Sequence, residues 1–253
     1  MYPLKKRLTQ GETVIGTFVS EVRNPNLAYI LAQGGLDFMI LDNEHGAYST
    51  ESVSAMVAAA RGAGLSVVVR VPQISREAIL KPLDSGAEGL LVPMVDSADQ
   101  AGEVIAHAKY PPQGKRGVGL RRAHSLYHRV SAAEYLEQAN QDTFIAVQAE
   151  TPEAVAAADD IASLPGIDCL FVGPMDLSVN LGIPGQTTHP REIEAIETVV
   201  QACQSRSLAA GVWAVDPDAA RHWINKGVRF LAYSSDVSLL ADGAAAALAQ
   251  IKQ

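Results

Sequence analysis

Two carboxylates, Glu150 and Asp176, each follow directly on an apolar run. Val147-Gln148-Ala149-Glu150-Thr151-Pro152-Glu153 and Phe171-Val172-Gly173-Pro174-Met175-Asp176-Leu177-Ser178 both begin apolar and then turn polar. That is the pattern of a buried parallel strand delivering an acid at its C-terminal end. Two acids in one place, with no Cys or His cluster beside them, suit a hard divalent cation such as Mg²⁺ or Mn²⁺. Water and substrate oxygens would complete its coordination. Spacing alone leaves another reading open, in which Glu150 starts a helix at the positive end of its dipole and Asp176 caps a second one.

Other run ends carry reactive groups too. Leu41-Asp42-Asn43-Glu44-His45-Gly46 places Asp42 three residues before His45, so that the acid could orient the imidazole and stabilise its charged form for proton transfer. Arg70 terminates Val67-Val68-Val69 and would be costly at a buried position unless it met an anion, for which a bound carboxylate or enolate is a candidate. Further along come Gln148 beside Glu150, then Trp213, then Ser234-Ser235-Asp236. Lysines behave differently. Lys5, Lys6, Lys81, Lys109, Lys115, Lys226 and Lys252 all fall in termini, helices or an insertion, where none can form a Schiff base at a strand end. A carbanion next to a carbonyl would then need a metal as its electron sink.

The elements that must position these groups are legible as alternating periodicities. Strand candidates are 13–19, 38–41, 66–70, 89–92, 143–147, 169–172, 209–213 and 230–233. Helical patterns fill 26–33, 50–63, 75–85, 97–108, 152–164, 190–205, 216–226 and 237–252. Eight strand–helix pairs in 253 residues predict a single-domain α/β (β/α)₈ TIM barrel with its active site at the C-terminal face of the strands. Glycines at 34–35, 64, 86, 166 and 227 mark helix ends. One insertion, about 110–141 with a short helix near 132–140, separates the fourth strand and its helix from the fifth strand.

Composition narrows the function class. With 48% hydrophobic and 19% charged residues and a net charge of −8, the chain lacks the basic footprint expected of a nucleic-acid or anionic-membrane binder. No window reaches the run of about 18 apolar residues that a membrane span needs. The basic start lacks the apolar segment of a signal peptide, so a cytoplasmic protein is expected. Only Cys169 and Cys203 are present, too few for a disulfide framework or a cysteine zinc site, and Cys169 reads as a small core residue.

Several strings resemble the HpcH/HpaI aldolase family. They are Leu41-Asp42-Asn43-Glu44-His45, the stretch 83–95 from Leu83-Asp84-Ser85-Gly86 to Pro93-Met94-Val95, Tyr110-Pro111-Pro112-Gln113-Gly114-Lys115-Arg116-Gly117-Val118-Gly119, and Gly173-Pro174-Met175-Asp176-Leu177-Ser178. The resemblance runs from about Gly16 to the last helix and implies a metal-dependent class II pyruvate aldolase. Such an enzyme reversibly splits 4-hydroxy-2-oxo acids into pyruvate, or a related 2-oxo acid, and an aldehyde. It further implies that Glu150 and Asp176 hold Mg²⁺, Mn²⁺ or Co²⁺, with Gln148 nearby and Arg70 on the keto or enolate oxygen. His45 with Asp42 would serve acid–base catalysis. Backbone amides around Gly173, Pro174, Met175 and Asp176 would seat the pyruvate carboxylate, and Glu44 would lie near the metal's waters. Asp84 would approach a neighbouring subunit's site; its plainer reading is a helix residue just before Gly86. Members are commonly homohexamers, trimers of dimers, with the C-terminal helix packed on a partner.

Departures from the family pattern bear on the aldehyde. Asn43 stands where Gly is expected, Ala149 replaces a larger aliphatic residue, and Tyr233-Ser234-Ser235-Asp236 replaces Val-Gly-Val-Asp. Trp213 occupies an aliphatic position facing the acceptor. An indole there would narrow the space beside the aldehyde carbon and add an N–H donor; alternatively it points into the barrel and only packs. Two other functions compete. A CoA-ester lyase of the citrate lyase β-subunit type would need a basic groove, for which Arg116, Arg121 and Arg122 are the clustered candidates. A non-catalytic barrel binding a metal–oxoacid complex would not need the Asp42/His45 pair.

Overall fold

Strands of a parallel barrel are buried on both faces and need continuous apolar runs. In the computed structural model, which describes residues 4–252, such runs form β1 (Val14–Val19), β2 (Phe38–Asp42), β3 (Ser66–Arg70) and β4 (Gly89–Val92). The second half supplies β5 (Phe144–Gln148), β6 (Cys169–Val172), β7 (Ala209–Ala214) and β8 (Phe230–Ser235). They pair in parallel in sequence order, and β8 returns to β1 to close the barrel. Residues 1–3 of the basic start, and Gln253, lie outside the described residues.

Twelve described α-helices surround or flank the barrel: α1 (Leu4–Thr9), α2 (Leu27–Gln33), α3 (Thr50–Ala63), α4 (Arg76–Asp84), α5 (Ala98–Ala108) and α6 (Ala132–Asp142) in the first half. After β5 come α7 (Pro152–Ala156), α8 (Ala158–Ala162), α9 (Pro174–Asn180), α10 (Pro190–Ser205), α11 (Pro217–Lys226) and α12 (Asp236–Ile251). The pattern at 152–164 reads as one helix, but Ala157, at φ −87° and ψ 2°, divides it into α7 and α8. Neither α1, six residues long, nor α9, seven residues long, is among the helices anticipated by the periodicity. No described helix is long and apolar enough to cross a membrane.

The barrel lumen is packed rather than open. Phe230 stacks on Phe38 with ring centroids 4.2 Å apart and meets Phe144 and Phe171 at 5.2 and 5.9 Å. Gly16 makes room for this: a Cβ there would collide with the Phe38 ring and carbonyl. Cys169 belongs to the same lumen cluster, as expected of a small core residue, and Leu4 and Leu8 of α1 join it at the end away from the C-terminal face. Side chains on the outer faces of the strands meet the apolar stripes of the helices. Hydroxyls of Ser49, Ser75, Ser97, Thr151 and Ser235 accept backbone N–H groups in the first turns of the helices that follow them. Closed parallel pairing of the eight strands sets their C-terminal ends in a fixed ring.

Candidate active site

That ring of strand ends encloses a cavity of about 310 Å³, lined among others by Asp42, His45, Arg70, Gln148, Glu150, Gly173, Met175, Asp176 and Trp213. The strand-end reading of the sequence thus converges on one place. Pro174 is the buried first residue of α9 and fixes the turn between Gly173 and Asp176 without lining the cavity.

Glu150 is buried just beyond β5. One carboxylate oxygen accepts a hydrogen bond from Gln148 Nε2, and the other accepts the Met94 N–H at 3.3 Å. Asn180, at the end of α9, donates to the Glu150 carbonyl at 2.8 Å. Burial, reinforced by the charges of Asp176 and Glu44, pushes the Glu150 carboxyl up to about 8. Gly173 is required beside it, because a Cβ there would run into Glu150 Oε1. Gln148 Oε1 is buried and has no hydrogen-bond partner.

Facing these acids is Arg70, the last residue of β3. Its Nε and one terminal nitrogen donate to the two oxygens of Asp42 at 2.9 and 2.7 Å, the other terminal nitrogen lies 3.1 Å from Glu44, and the guanidinium covers the Phe18 ring at 4.8 Å. Burial would lower the Arg70 pKa, but the hydrogen bonds to Asp42 together with the charges of Asp42, Glu44 and Glu150 raise it above its ordinary value. Burial likewise would raise the Asp42 carboxyl, yet Arg70 and the backbone N–H groups of His45 and Glu44 hold it below the ordinary carboxylate range.

This geometry corrects the expected Asp42/His45 pair. Asp42 takes the backbone N–H of His45 at 3.3 Å, not its ring, and spends both oxygens on Arg70. The β2–β3 register sets Asp42 opposite Arg70, and a bidentate arginine outcompetes a neighbouring imidazole for a carboxylate. The His45 side chain is 67% exposed, with Glu44 at 4.0 Å as its nearest acid. Trp213 differs from expectation as well. Its indole N–H already donates to the Ser234 carbonyl at 3.0 Å, so the donor it brings serves the protein and not a ligand.

Asp84 lies outside the cavity, at the end of α4. It accepts from Arg116 at 2.9 Å, and Arg122 and His124 lie at 4.0 Å. Arg116 is buried over the Tyr110 ring, which removes it from the clustered basic groove weighed for a CoA ester. Phe18, Ser20, Phe171 and Ser235 line the cavity but carry no charge, so a search for ionisable strand ends passes them over. No lysine lines the cavity among the described residues. Lys109, which burial lowers to about 8, is instead locked onto the carbonyls of Asn140 and Thr143, before the start of β5 and so at the opposite end of the barrel.

The donor set fits a hard divalent ion. It consists of the buried Glu150 carboxyl, Asp176 on the same cavity and the orphaned Gln148 oxygen, all oxygens, with Glu150 destabilised as an anion by burial and then by its acidic neighbours.

Comparisons with known proteins agree with this picture. The family model described as HpcH/HpaI aldolase/citrate lyase matches residues 15–243. A 2-keto-3-deoxy-L-rhamnonate aldolase of Escherichia coli O17:K52:H18 (strain UMN026 / ExPEC) is 36% identical over 251 residues, 99% of this chain and 93% of that protein. The crystal structure of an HpcH/HpaI aldolase from Desulfitobacterium hafniense DCB-2 superimposes with a TM-score of 0.94 at 39% identity, covering 99% of this chain and 96% of the other. An HpcH/HpaI aldolase/citrate lyase family protein from Burkholderia cenocepacia J2315 gives 0.92 at 33% identity, with 99% of both chains covered. With the family model matched over most of its length and relatives covered almost end to end, the chain belongs to the HpcH/HpaI aldolase/citrate lyase family and is a class II aldolase.

Proposed function

We propose that this cavity reversibly cleaves 4-hydroxy-2-oxo acids into pyruvate, or a related 2-oxo acid, and an aldehyde. Glu150 and Asp176 are the protein ligands of a divalent cation, Mg²⁺, Mn²⁺ or Co²⁺, with Gln148 beside them. When bound, the ion supplies Lewis acidity toward the oxygens of a 2-oxo acid. The observation that carries the reading is a buried Glu150 and a solvent-exposed Asp176 sharing one cavity with a buried arginine, with no lysine among its described lining residues.

The remaining roles follow from charge and exposure. Arg70, fixed by Asp42 and Glu44, presents a permanent positive charge where the 2-oxo acid becomes an enolate. The backbone at residues 173–176 borders the end of the cavity suited to the substrate carboxylate. His45, exposed at the mouth, exchanges the proton of the C4 hydroxyl, through water, as the C3–C4 bond breaks or forms. Asp42 acts by holding Arg70 and the backbone of the His45 loop. The enzyme works as a homo-oligomer in the cytoplasm, a hexamer built as a trimer of dimers, in which Asp84 approaches a neighbour's cavity and α12 packs on a partner. Every residue of α12 from Leu239 through Ile251 is exposed, Leu240, Leu248 and Ile251 among them, which supports that arrangement.

The test is pyruvate release from a panel of 4-hydroxy-2-oxo acids, with 2-keto-3-deoxy-L-rhamnonate, the compound named for the Escherichia coli relative, as its first member. Metal-dependent release from at least one member is expected. No release from any member, with any of the three metals, would overturn the proposal.

A further inference from the structure

Charge is distributed unevenly around the cavity. Every ionisable side chain that lines it comes from the ends of β2, β3, β5 and β6: Asp42, His45, Arg70, Glu150 and Asp176. The ends of β7, β8 and β1 contribute Trp213, Ser235, Phe18 and Ser20, all neutral. In the aldolase reading, on which this inference rests, the oxo acid occupies the charged side, and the neutral side remains for the aldehyde.

A backbone irregularity lies at that neutral side. Gly16 pairs with Ala232 and Phe18 with Ser235, so Tyr233 and Ser234 together face the single residue Thr17. The extra residue is a β-bulge in β8, a device that re-aims groups beside active sites. Ser234 adopts φ +58° there, a left-handed conformation rarely used by residues that carry a side chain. Meanwhile β7 and β8 remain in register, Trp213 opposite Ala232 and Ala214 opposite Tyr233. The Ser234 carbonyl accepts the Trp213 indole N–H at 3.0 Å.

We propose that Ser234 is a positioning residue for acceptor specificity: the β8 bulge fixes the Trp213 indole as a rigid wall across the aldehyde end of the cavity. Because the indole N–H is consumed by this bond, and the Ser20 and Ser235 hydroxyls already donate to Asp236 and Ser238, an aldehyde hydroxyl at this end is met by the serine oxygens as acceptors. The ring itself sets the length limit. The acceptor class is therefore a short, uncharged, hydroxylated aldehyde.

The test uses the full-length, metal-loaded enzyme in the synthetic direction, with pyruvate and the acceptors glycolaldehyde, 2-hydroxypropanal, butanal and hexanal. The parent should favour 2-hydroxypropanal over hexanal in kcat/KM by about tenfold or more. Trp213→Phe, which keeps a ring and loses the N–H, should cut that ratio several-fold. Ser234→Val, whose β-branched side chain disfavours positive φ, should cut it likewise. Ser234→Gly accepts the same backbone conformation and should retain the parental ratio. Proton exchange at pyruvate C3, followed by NMR without any aldehyde, separates the two levels of the argument. Exchange and aldol formation with the same ratio in Trp213→Phe or in folded Ser234→Val as in the parent would overturn the positioning role alone. Absence of both exchange and aldol product in the parent would overturn the aldolase reading and this inference with it.

Discussion

Arg70 keeps its charge at the barrel mouth because two carboxylates meet it there, and it loses little freedom in doing so because its planar fork matches the Asp42 oxygens. Removing one partner of a buried pair leaves the other uncompensated, so Asp42→Asn should cost about 3 kcal/mol in urea unfolding and lower aldol turnover by way of Arg70. A loss under about 0.5 kcal/mol would mean that Glu44 alone holds the guanidinium. The pH sign follows from the depressed Asp42 pKa: its stabilisation is present above the unfolded-state value and lost as pH falls through the lower folded value. Acid unfolding of the Asp42→Asn protein should lack that component. His45, by contrast, is exposed, with only Glu44 at 4.0 Å beside its ring. His45→Ala should retain metal and pyruvate binding in calorimetry and lose about 10²–10⁴ in aldol rate; near-full turnover would place the proton transfer elsewhere. The sequence brings His45 and Asp42 into the right cavity, since both follow a strand. Their partnership is misread there, because three-residue spacing suggests a local contact while the β2–β3 register, invisible without the fold, sets Asp42 opposite Arg70.

Elements decide how closely the site can be assembled. Gly173 links β6 to α9 and passes directly beside the Glu150 carboxylate. Gly173→Ala should leave the far-ultraviolet circular dichroism intact while weakening Mn²⁺ affinity by about tenfold or more, because the new methyl displaces the carboxylate; unchanged affinity would show that Glu150 can move without loss. In α10, Glu192 is buried near the first turn with both carboxylate oxygens unpartnered, and burial pushes it up to about 7. A raised carboxyl pKa means that folding favours the protonated form, so stability falls as pH rises from the unfolded value through about 7. Glu192→Gln should remove that slope and stabilise the protein at pH 8 by roughly 1–2 kcal/mol; equal melting temperatures for the two proteins at pH 8 would contradict it. The eight strands are legible because burial on both faces imposes apolar runs. The β8 bulge, α9 and the break between α7 and α8 are not, since each depends on packing against elements distant in the chain and leaves no periodic mark.

At the scale of the whole molecule, the barrel closes on its own lumen while α12 extends an apolar surface that no described residue covers beyond its first turn. Light scattering should therefore find an oligomer at assay concentration, and Leu240→Glu with Leu248→Glu should shift it toward smaller species. A fully active monomer would contradict the proposed assembly. The central claim, however, is that a divalent cation at Glu150 and Asp176, not a lysine, serves as the electron sink. The most direct measurement strips the enzyme with chelator, assays pyruvate release, restores Mg²⁺, Mn²⁺ or Co²⁺ in turn, and treats a parallel sample with pyruvate and borohydride. Activity should vanish on stripping and return with metal in the parent but not in Glu150→Gln, and borohydride should leave the protein mass unchanged. Full activity after stripping, or a pyruvyl adduct on any lysine, would contradict the account.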